Sequence, residues 1–303
     1  MKKMMRFAMA LVAVSMMISC APKAAPEAEI PVALQLYSVR GDMAKDFKGT
    51  LAQVKAMGYD GVEFAGLFGN EPAAVKAMCE ELALTPISAH VPLAEMLADV
   101  DKVIADYKAI GCEYIVVPYV SEERRPGGEL FMQMVEEIRA IGEKCKEAGL
   151  GLLYHNHDFE FKKVESGEYG LDYFYNNVPA DLLQTQLDLC WVKYAGEEPT
   201  AYLKKYAGRA PVVHFKDYYK EGEMEGDPYA LIGLNEGEEK PATKAFEFRP
   251  FGYGVQDVEA LYAAAKEVGS KWIVIEQDNP SMGKSAMECA ALSMETMKKL
   301  QGK

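Results

Sequence analysis

No Cys-x-x-Cys pair occurs in this sequence, and the cysteines do not come in a paired set. Once Cys20 is set aside, five remain: Cys79, Cys112, Cys145, Cys190 and Cys289. An odd number spread over helix-like and strand-like segments is not a disulfide framework, so these read as small buried side chains. There is no basic cluster either. Lys and Arg total 33 against 46 Asp and Glu, a formal net charge of -13. That balance argues against a nucleic-acid partner, since phosphates are gripped mainly by Lys and Arg, and it offers no basic patch for a phosphorylated ligand. The N-terminal apolar stretch, residues 7–19, is too short to span a bilayer comfortably. No Gly-rich phosphate turn follows the first strand-like run, "LQLYSVRGD", as a nucleotide-binding doubly wound sheet would usually carry.

The N-terminus is a leader rather than part of the fold. "MKKMMR" is a basic n-region, the apolar stretch follows, and Met17-Ile18-Ser19-Cys20 resembles a bacterial lipoprotein cleavage box with Cys20 as the lipidated residue. Residues 1–19 are therefore expected to be a signal peptide and residues 20–30 a Pro/Ala tether. The chain is expected to be exported and held at a membrane surface by lipid alone, on the periplasmic or outer-membrane face. An ordinary cleaved signal or an uncleaved anchor is the alternative.

From Pro31 to the end, apolar runs alternate with helical patterns. The runs are "VALQLYS", "GVEFAG", "PISAHV", "YIVVPY", "GLLYHN", "LQTQLDL", "PVVHFKD" and "WIVIEQD". Between them lie "LAQVKAMG", "VKAMCEELAL", "VDKVIADYKAIG", "FMQMVEEIRAIGEKCKEAG" and "VEALYAAAKEVG", with apolar spacings of three and four and Gly as a stop signal. Eight such units over residues 31–303 predict one α/β domain, a (β/α)8 TIM barrel, with a doubly wound sheet as the runner-up. Two irregular regions remain, "KEGEMEGDPYALIGLNEGEEKPATK" and "FEFRPFGYGVQD". The first is too polar for a core and is expected to be a loop over the active-site rim.

Only four histidines are present, and every one falls where an apolar run ends: His90, His155, His157 and His214. In a parallel barrel the catalytic groups sit at the C-terminal ends of the strands. Reading those positions also gives Glu63, Glu160, Asp188, Asp217, Glu276 and Asp278. Asp188 and Glu276 have apolar neighbours on both sides, and buried carboxylates are costly unless they are paired or bound to metal. Two imidazoles and two carboxylates from successive strands suit one divalent ion, Mn, Zn, Co or Fe rather than Mg. Each residue alone has a plainer explanation: a strand-end His can be a hydrogen-bonded core residue, and a strand-end Asp can cap the next helix. The joint placement on four successive strands favours a site.

The phrases "LQLYSVR", "YHNHDFEF", "LDLCWVKYAG", "HFKD" and "EQD", in this order, resemble the xylose isomerase-like barrel superfamily in its sugar phosphate isomerase/epimerase branch. The resemblance covers nearly the whole chain after the tether. It implies one divalent metal held in the pattern Glu, Asp, His, Glu from the fifth to the eighth strands. Asp188, His214 and Glu276 match the last three, while His155 stands at the first, with His157 and Glu160 as alternatives. It further implies isomerisation or epimerisation of a small-molecule sugar or keto-sugar through an enediolate. Glu276, Glu160, His157 and Lys216 are the candidates for proton transfer, although Lys216 has a simpler role open to it as a partner of Asp217. A keto-sugar lyase or dehydratase on the same site and a non-catalytic sugar-binding lipoprotein are the alternatives. Gln35, Tyr37, Arg40, Glu63 and His90 are expected at the rim around the polyol. Trp191 or Tyr119 is expected as the aromatic platform, with Phe64 in the core. The superfamily's three-zinc DNA-repair endonucleases need more ligands than four histidines allow. His214→Ala is expected to remove metal with little loss of folding, and an oligomer is left open.

Overall fold

The computed structural model describes residues 29–222 and 246–303. The leader, nearly all of the tether and most of the acidic loop expected over the rim lie outside the described residues. Ten strands follow in chain order: β1 (Val32–Gln35), β2 (Gly61–Phe64), β3 (Thr85–His90), β4 (Tyr114–Val117), β5 (Gly151–His155), β6 (Gln184–Asp188), β7 (Val212–Phe215), β8 (Asp217–Lys220), β9 (Phe246–Arg249) and β10 (Trp272–Ile275). β1 to β7 and β10 are parallel and close on themselves, with β10 seated between β7 and β1. The architecture is the expected (β/α)8 barrel.

Strand parity explains how the chain fills this barrel. Alternate residues of a strand face opposite sides. Ala33, Val116, Leu153, Val212 and Val274 form a small cluster inside the barrel. Their neighbours Leu34, Val117, Leu152, Val213 and Ile273 join the larger cluster that also holds the helix side chains. Two residues beyond the inner set, on the same face, stand Gln35, His155, His214 and Glu276. The chemistry is thus stacked on an apolar plug at the C-terminal end of the barrel, the end that carries active sites in this architecture.

The outer ring comprises α1 (Arg40–Met43), α2 (Phe47–Met57), α3 (Pro72–Leu82), α4 (Leu93–Ile110), α5 (Phe131–Ala148), α6 (Gly170–Asn177), α7 (Leu189–Tyr194), α8 (Pro199–Lys205), α9 (Val258–Val268) and α10 (Ala286–Leu300). The five helices read from spacing correspond to α2, α3, α4, α5 and α9. The helices not read from spacing are α1, α6, α7 and α8, too short to show a period, and α10. That last one did carry a signal: Ser285 and Glu288 form a capping box, the Ser-x-x-Glu signature of a helix start.

One feature departs from the sequence reading. "FEFRPFGYG" contains a strand, β9, paired antiparallel with β8 so that Asp217 faces Arg249 and Lys220 faces Phe246. This hairpin rises from the end of β7 on a satellite core of Cys190, Trp191, Tyr218, Phe246 and Phe248. All five described cysteines are buried and free, as their spacing implied. No helix among the described residues is long and apolar enough to cross a membrane.

Candidate metal centre

Four ligand-type atoms, one each from His155 on β5, Asp188 on β6, His214 on β7 and Glu276 just after β10, lie within 4.8 Å of one another, and all four residues are buried. Strand register brings them level: Asp188 pairs with His214 across β6 and β7, and His155 with Gln186 across β5 and β6. Each ligand has a partner that fixes its orientation, as is usual around metals. Asp188 accepts through Oδ1 from the backbone N–H groups of Cys190 (2.8 Å) and Trp191 (3.1 Å), capping α7. Its other oxygen, Oδ2, is buried and accepts no hydrogen bond, standing 3.7 Å from His155 Nε2 and 3.8 Å from Lys216 Nζ. An orphaned carboxylate oxygen in that position fits a cation.

Beneath the four lies Glu63, fully buried on β2. Its Oε1 lies 2.7 Å from Gln35 Nε2, 2.7 Å from His214 Nε2 and 3.0 Å from His90 Nε2. Its Oε2 accepts from Ser88 Oγ and Gln186 Nε2, both at 2.5 Å. The Gln186 amide is thereby oriented, so its Oε1 receives His90 Nε2 (2.7 Å) and His155 Nδ1 (3.1 Å). The tautomers follow. With N–H on Nδ1, His155 directs its Nε2 lone pair toward Asp188. With N–H on Nε2, His214 directs Nδ1 at Glu276 Oε2, 3.1 Å away. A lone pair facing a carboxylate is repulsive unless a proton or a metal ion stands between them.

Charge shows the same demand. Three buried carboxylates, Asp188, Glu276 and Asp278, face one ammonium, that of Lys216. Lys216 Nζ lies 2.5 Å from Asp278 Oδ2 and 3.3 Å from Glu276 Oε2. Its pairing is with these residues and not with Asp217. Burial opposes its charge, but Asp278, Glu276 and Asp188 raise its pKa. Burial likewise opposes ionisation of Glu276, yet Lys216 and His214 hold it well below the usual carboxylate range. Glu63 is held low against burial by His90 and His214. Burial pushes Asp188 up to about 6. Burial would keep His214 neutral, but Glu63 and Glu276 raise it to about 10, so without a metal its protonated ring donates to both carboxylates, from Nε2 to Glu63 and from Nδ1 to Glu276. His155 is driven well below its usual value by burial and by its imidazole neighbours, leaving it neutral and able to ligate. The donor set of two imidazoles and two carboxylates therefore fits one divalent ion.

Above the centre opens a cavity of about 510 Å³ whose lining includes Tyr37, His90, Tyr119, His155, His157, Lys216, Glu276 and Asp278, a size suited to a small molecule. Three rim or platform assignments change. Gln35 and Glu63 do not line the cavity; they form the layer below the ligands. Trp191 is fully buried, packed behind Lys216 (5.5 Å) and His157 (5.3 Å), and Tyr119 is the ring that lines the cavity. Phe64 is in the core as expected, and Arg40 lies over the Tyr37 ring at 4.1 Å. Glu160 is also displaced from the site. It is buried beside β5, accepting from Tyr154 Oη (2.7 Å) and the His157 backbone N–H (2.8 Å), and its carboxylate is not among those of the ligand cluster. The sequence reading missed Gln186 and Ser88, and it noted Asp278 at a strand end without giving it a role. The two missed residues had a signal: each stands two residues before a singled-out strand-end residue, Asp188 or His90, and so shares its face.

The closed parallel barrel defines the fold class of the chain, and the family comparison narrows it. The family model for the xylose isomerase-like TIM barrel matches residues 51–300, and the chain belongs to that family. Among solved structures, it is similar to a sugar phosphate isomerase/epimerase from Parabacteroides distasonis, at 20% identity over 92% of this chain and 97% of that one, TM-score 0.69. It is similar also to the probable 3-DHS dehydratase AsbF involved in petrobactin synthesis from Bacillus anthracis, at 12% identity over 89% and 99%, TM-score 0.70. A third is the IOLI protein with a bound zinc atom, at 16% identity over 89% and 98%, TM-score 0.65. No curated protein matches.

Proposed function

We propose that the chain is a divalent-metal-dependent sugar isomerase or epimerase that acts through an enediolate of a sugar or keto-sugar. The observation that carries this reading is the convergence of His155, Asp188, His214 and Glu276 on the floor of a cavity of sugar size. A divalent ion bound there would polarise a carbonyl and its neighbouring hydroxyl and so acidify the C–H between them. Glu276, kept ionised by Lys216 and His214, is the base for that proton. Lys216, charged and anchored on Asp278, offers an N–H toward an oxygen that gains negative charge. His157 lines the cavity from the β5 side; burial and Lys216 push its pKa well down, leaving a neutral imidazole able to relay a proton.

A second reading, β-elimination or hydration on a keto-sugar, has its own support in the asymmetry of the site. An imidazole, His155, stands where a second carboxylate base would face Glu276, and Lys216, 3.3 Å from Glu276 Oε2, is a fixed acid beside that base. The test is metal analysis combined with solvent exchange. The purified chain should retain one divalent ion, and in D2O it should wash deuterium into a ketose or a 3-keto-sugar. Release of an alcohol or of water from the 3-keto-sugar would select the lyase reading. Sugar binding with no exchange and no product would make it a binding protein and overturn both.

A further inference from the structure

We infer that the site takes a neutral, unphosphorylated sugar carrying an apolar substituent, such as the aryl or alkyl glycoside of a keto-sugar; this rests on the sugar-converting reading above. The cavity has two unlike walls. One, from β5, β7 and β10 and the residues that follow them, presents only polar groups: His155, His157, Lys216, Glu276 and Asp278. The other, built after β2, β3 and β4, carries the apolar side chains Ala65, Leu67, Pro92 and Pro118 together with His90, Glu95, Asp106, Tyr107 and Tyr119. A polyol needs hydrogen-bonding groups around its whole edge, and the Ala65, Leu67, Pro92 and Pro118 side chains supply none. An apolar group on the sugar would instead lie against Leu67, Pro92 and Pro118 while the sugar reaches the ligand cluster.

Charge argues against phosphate. Among the described residues, the lining holds one cationic side chain, Lys216, against four carboxylates: Glu95, Asp106, Glu276 and Asp278. Lys216 is already between Asp278 and Glu276. Two arginines border the lining, and both are engaged. Arg40 donates to the carbonyls of Tyr37 (3.0 Å) and Asp278 (2.6 Å). Arg125 stacks on Phe159 at 4.3 Å and donates to Tyr119 Oη. A phosphate dianion on the part of the sugar remote from the metal would meet the carboxylates of the lining with no cationic side chain left to pair with it.

The inference is tested by calorimetric titration of the full chain loaded with Mn2+. Glucose, galactose and mannose are each compared as the free sugar, the 6-phosphate and the 4-nitrophenyl glycoside. Burial of a phenyl-sized group should tighten binding by about tenfold or more. For at least one sugar the expected order is nitrophenyl glycoside over free sugar over phosphate. Leu67→Gln, and independently Ala65→Gln, should shrink the gap between the glycoside and the free sugar. A phosphate that binds as tightly as the free sugar, a nitrophenyl group that brings no gain, or binding of none of the nine compounds would overturn the inference. Deuterium exchange, read separately on a ketose and a 3-keto-sugar, keeps the two readings apart. Absence of exchange with both sinks the enzyme reading, while the binding order still decides the substrate class.

Discussion

Asp188 divides its work between its two oxygens, which makes it the sharpest probe of the centre. Asp188→Asn keeps an acceptor for the α7 cap at Oδ1 and puts a poor ligand at the orphaned Oδ2 position. Divalent-ion affinity should fall at least about tenfold with the melting temperature nearly unchanged; an unchanged affinity by competition titration would sink the ligand assignment. His214 behaves differently from the sequence-based expectation. Because it joins Glu63 to Glu276, His214→Ala should lose metal and also cost about 1–3 kcal/mol, since two buried carboxylates each lose one of their partners. Glu63→Gln removes the anion that fixes the His214 tautomer, and metal affinity should drop about 10–100-fold. Its checks are a metal-buffer titration and imidazole nitrogen shifts in the metal-free protein, which a purely structural role would leave in place.

The β8–β9 hairpin hangs on one carboxylate. Asp217 accepts from the backbone N–H groups of Tyr218, Gly252, Gly254, Val255 and Gln256, at 2.9 to 3.2 Å. This explains the Gly-x-Gly of "FGYG": a Cβ on Gly254 would stand 2.2 Å from Asp217 Oδ1 and 2.3 Å from the Tyr218 carbonyl oxygen. Asp217→Ala should destabilise the protein by about 2–4 kcal/mol, through several buried donors left without an acceptor. Amide exchange should accelerate first in Tyr218 and residues 246–256, and uniform exchange across the barrel would contradict this anchoring role. The barrel strands were legible as apolar runs and the long helices because three-or-four spacing persists over enough residues. β8 and β9 are no shorter than several barrel strands, but as Asp-Tyr-Tyr-Lys and Phe-Glu-Phe-Arg they are not apolar runs, and their pairing depends on a partner far along the chain.

For the molecule as a whole, stability should carry the imprint of Glu160. Burial pushes its carboxyl up to about 8 despite hydrogen bonds from Tyr154 and the His157 backbone. The folded state then holds a proton that the unfolded chain releases near its ordinary value of 4.5. Stability from this group is full below that value and is lost as pH rises to about 8. Glu160→Gln should remove this loss. The difference in unfolding free energy, variant minus parent, should grow by about 1–3 kcal/mol between pH 6 and pH 8.5; a pH-independent difference in denaturant titrations would contradict it. At the other end of the chain, we propose lipidation at Cys20. Cys20→Ser should move the protein from the membrane fraction to the soluble exported fraction and abolish labelling by a radioactive fatty acid.

The sequence by itself determined the alternation that closes a barrel and the face on which each strand-end residue stands, and it singled out Asp188, His214 and Glu276 while leaving His155, His157 and Glu160 open for the remaining position. These are local properties, fixed by periodicity and by the cost of leaving a charge among apolar neighbours. Only the tertiary structure decided which carboxylates meet which imidazoles. Glu63 and His214 are 151 positions apart, yet they share a hydrogen bond because barrel closure brings β2 and β7 to one lumen. The same closure buried Trp191, set Glu160 aside and gave Lys216 to Asp278 rather than to its neighbour Asp217, whose side chain points to the opposite face. Depth within the barrel separates a ligand layer from the layer that supports it, and spacing along a single strand carries no information about what lies across it.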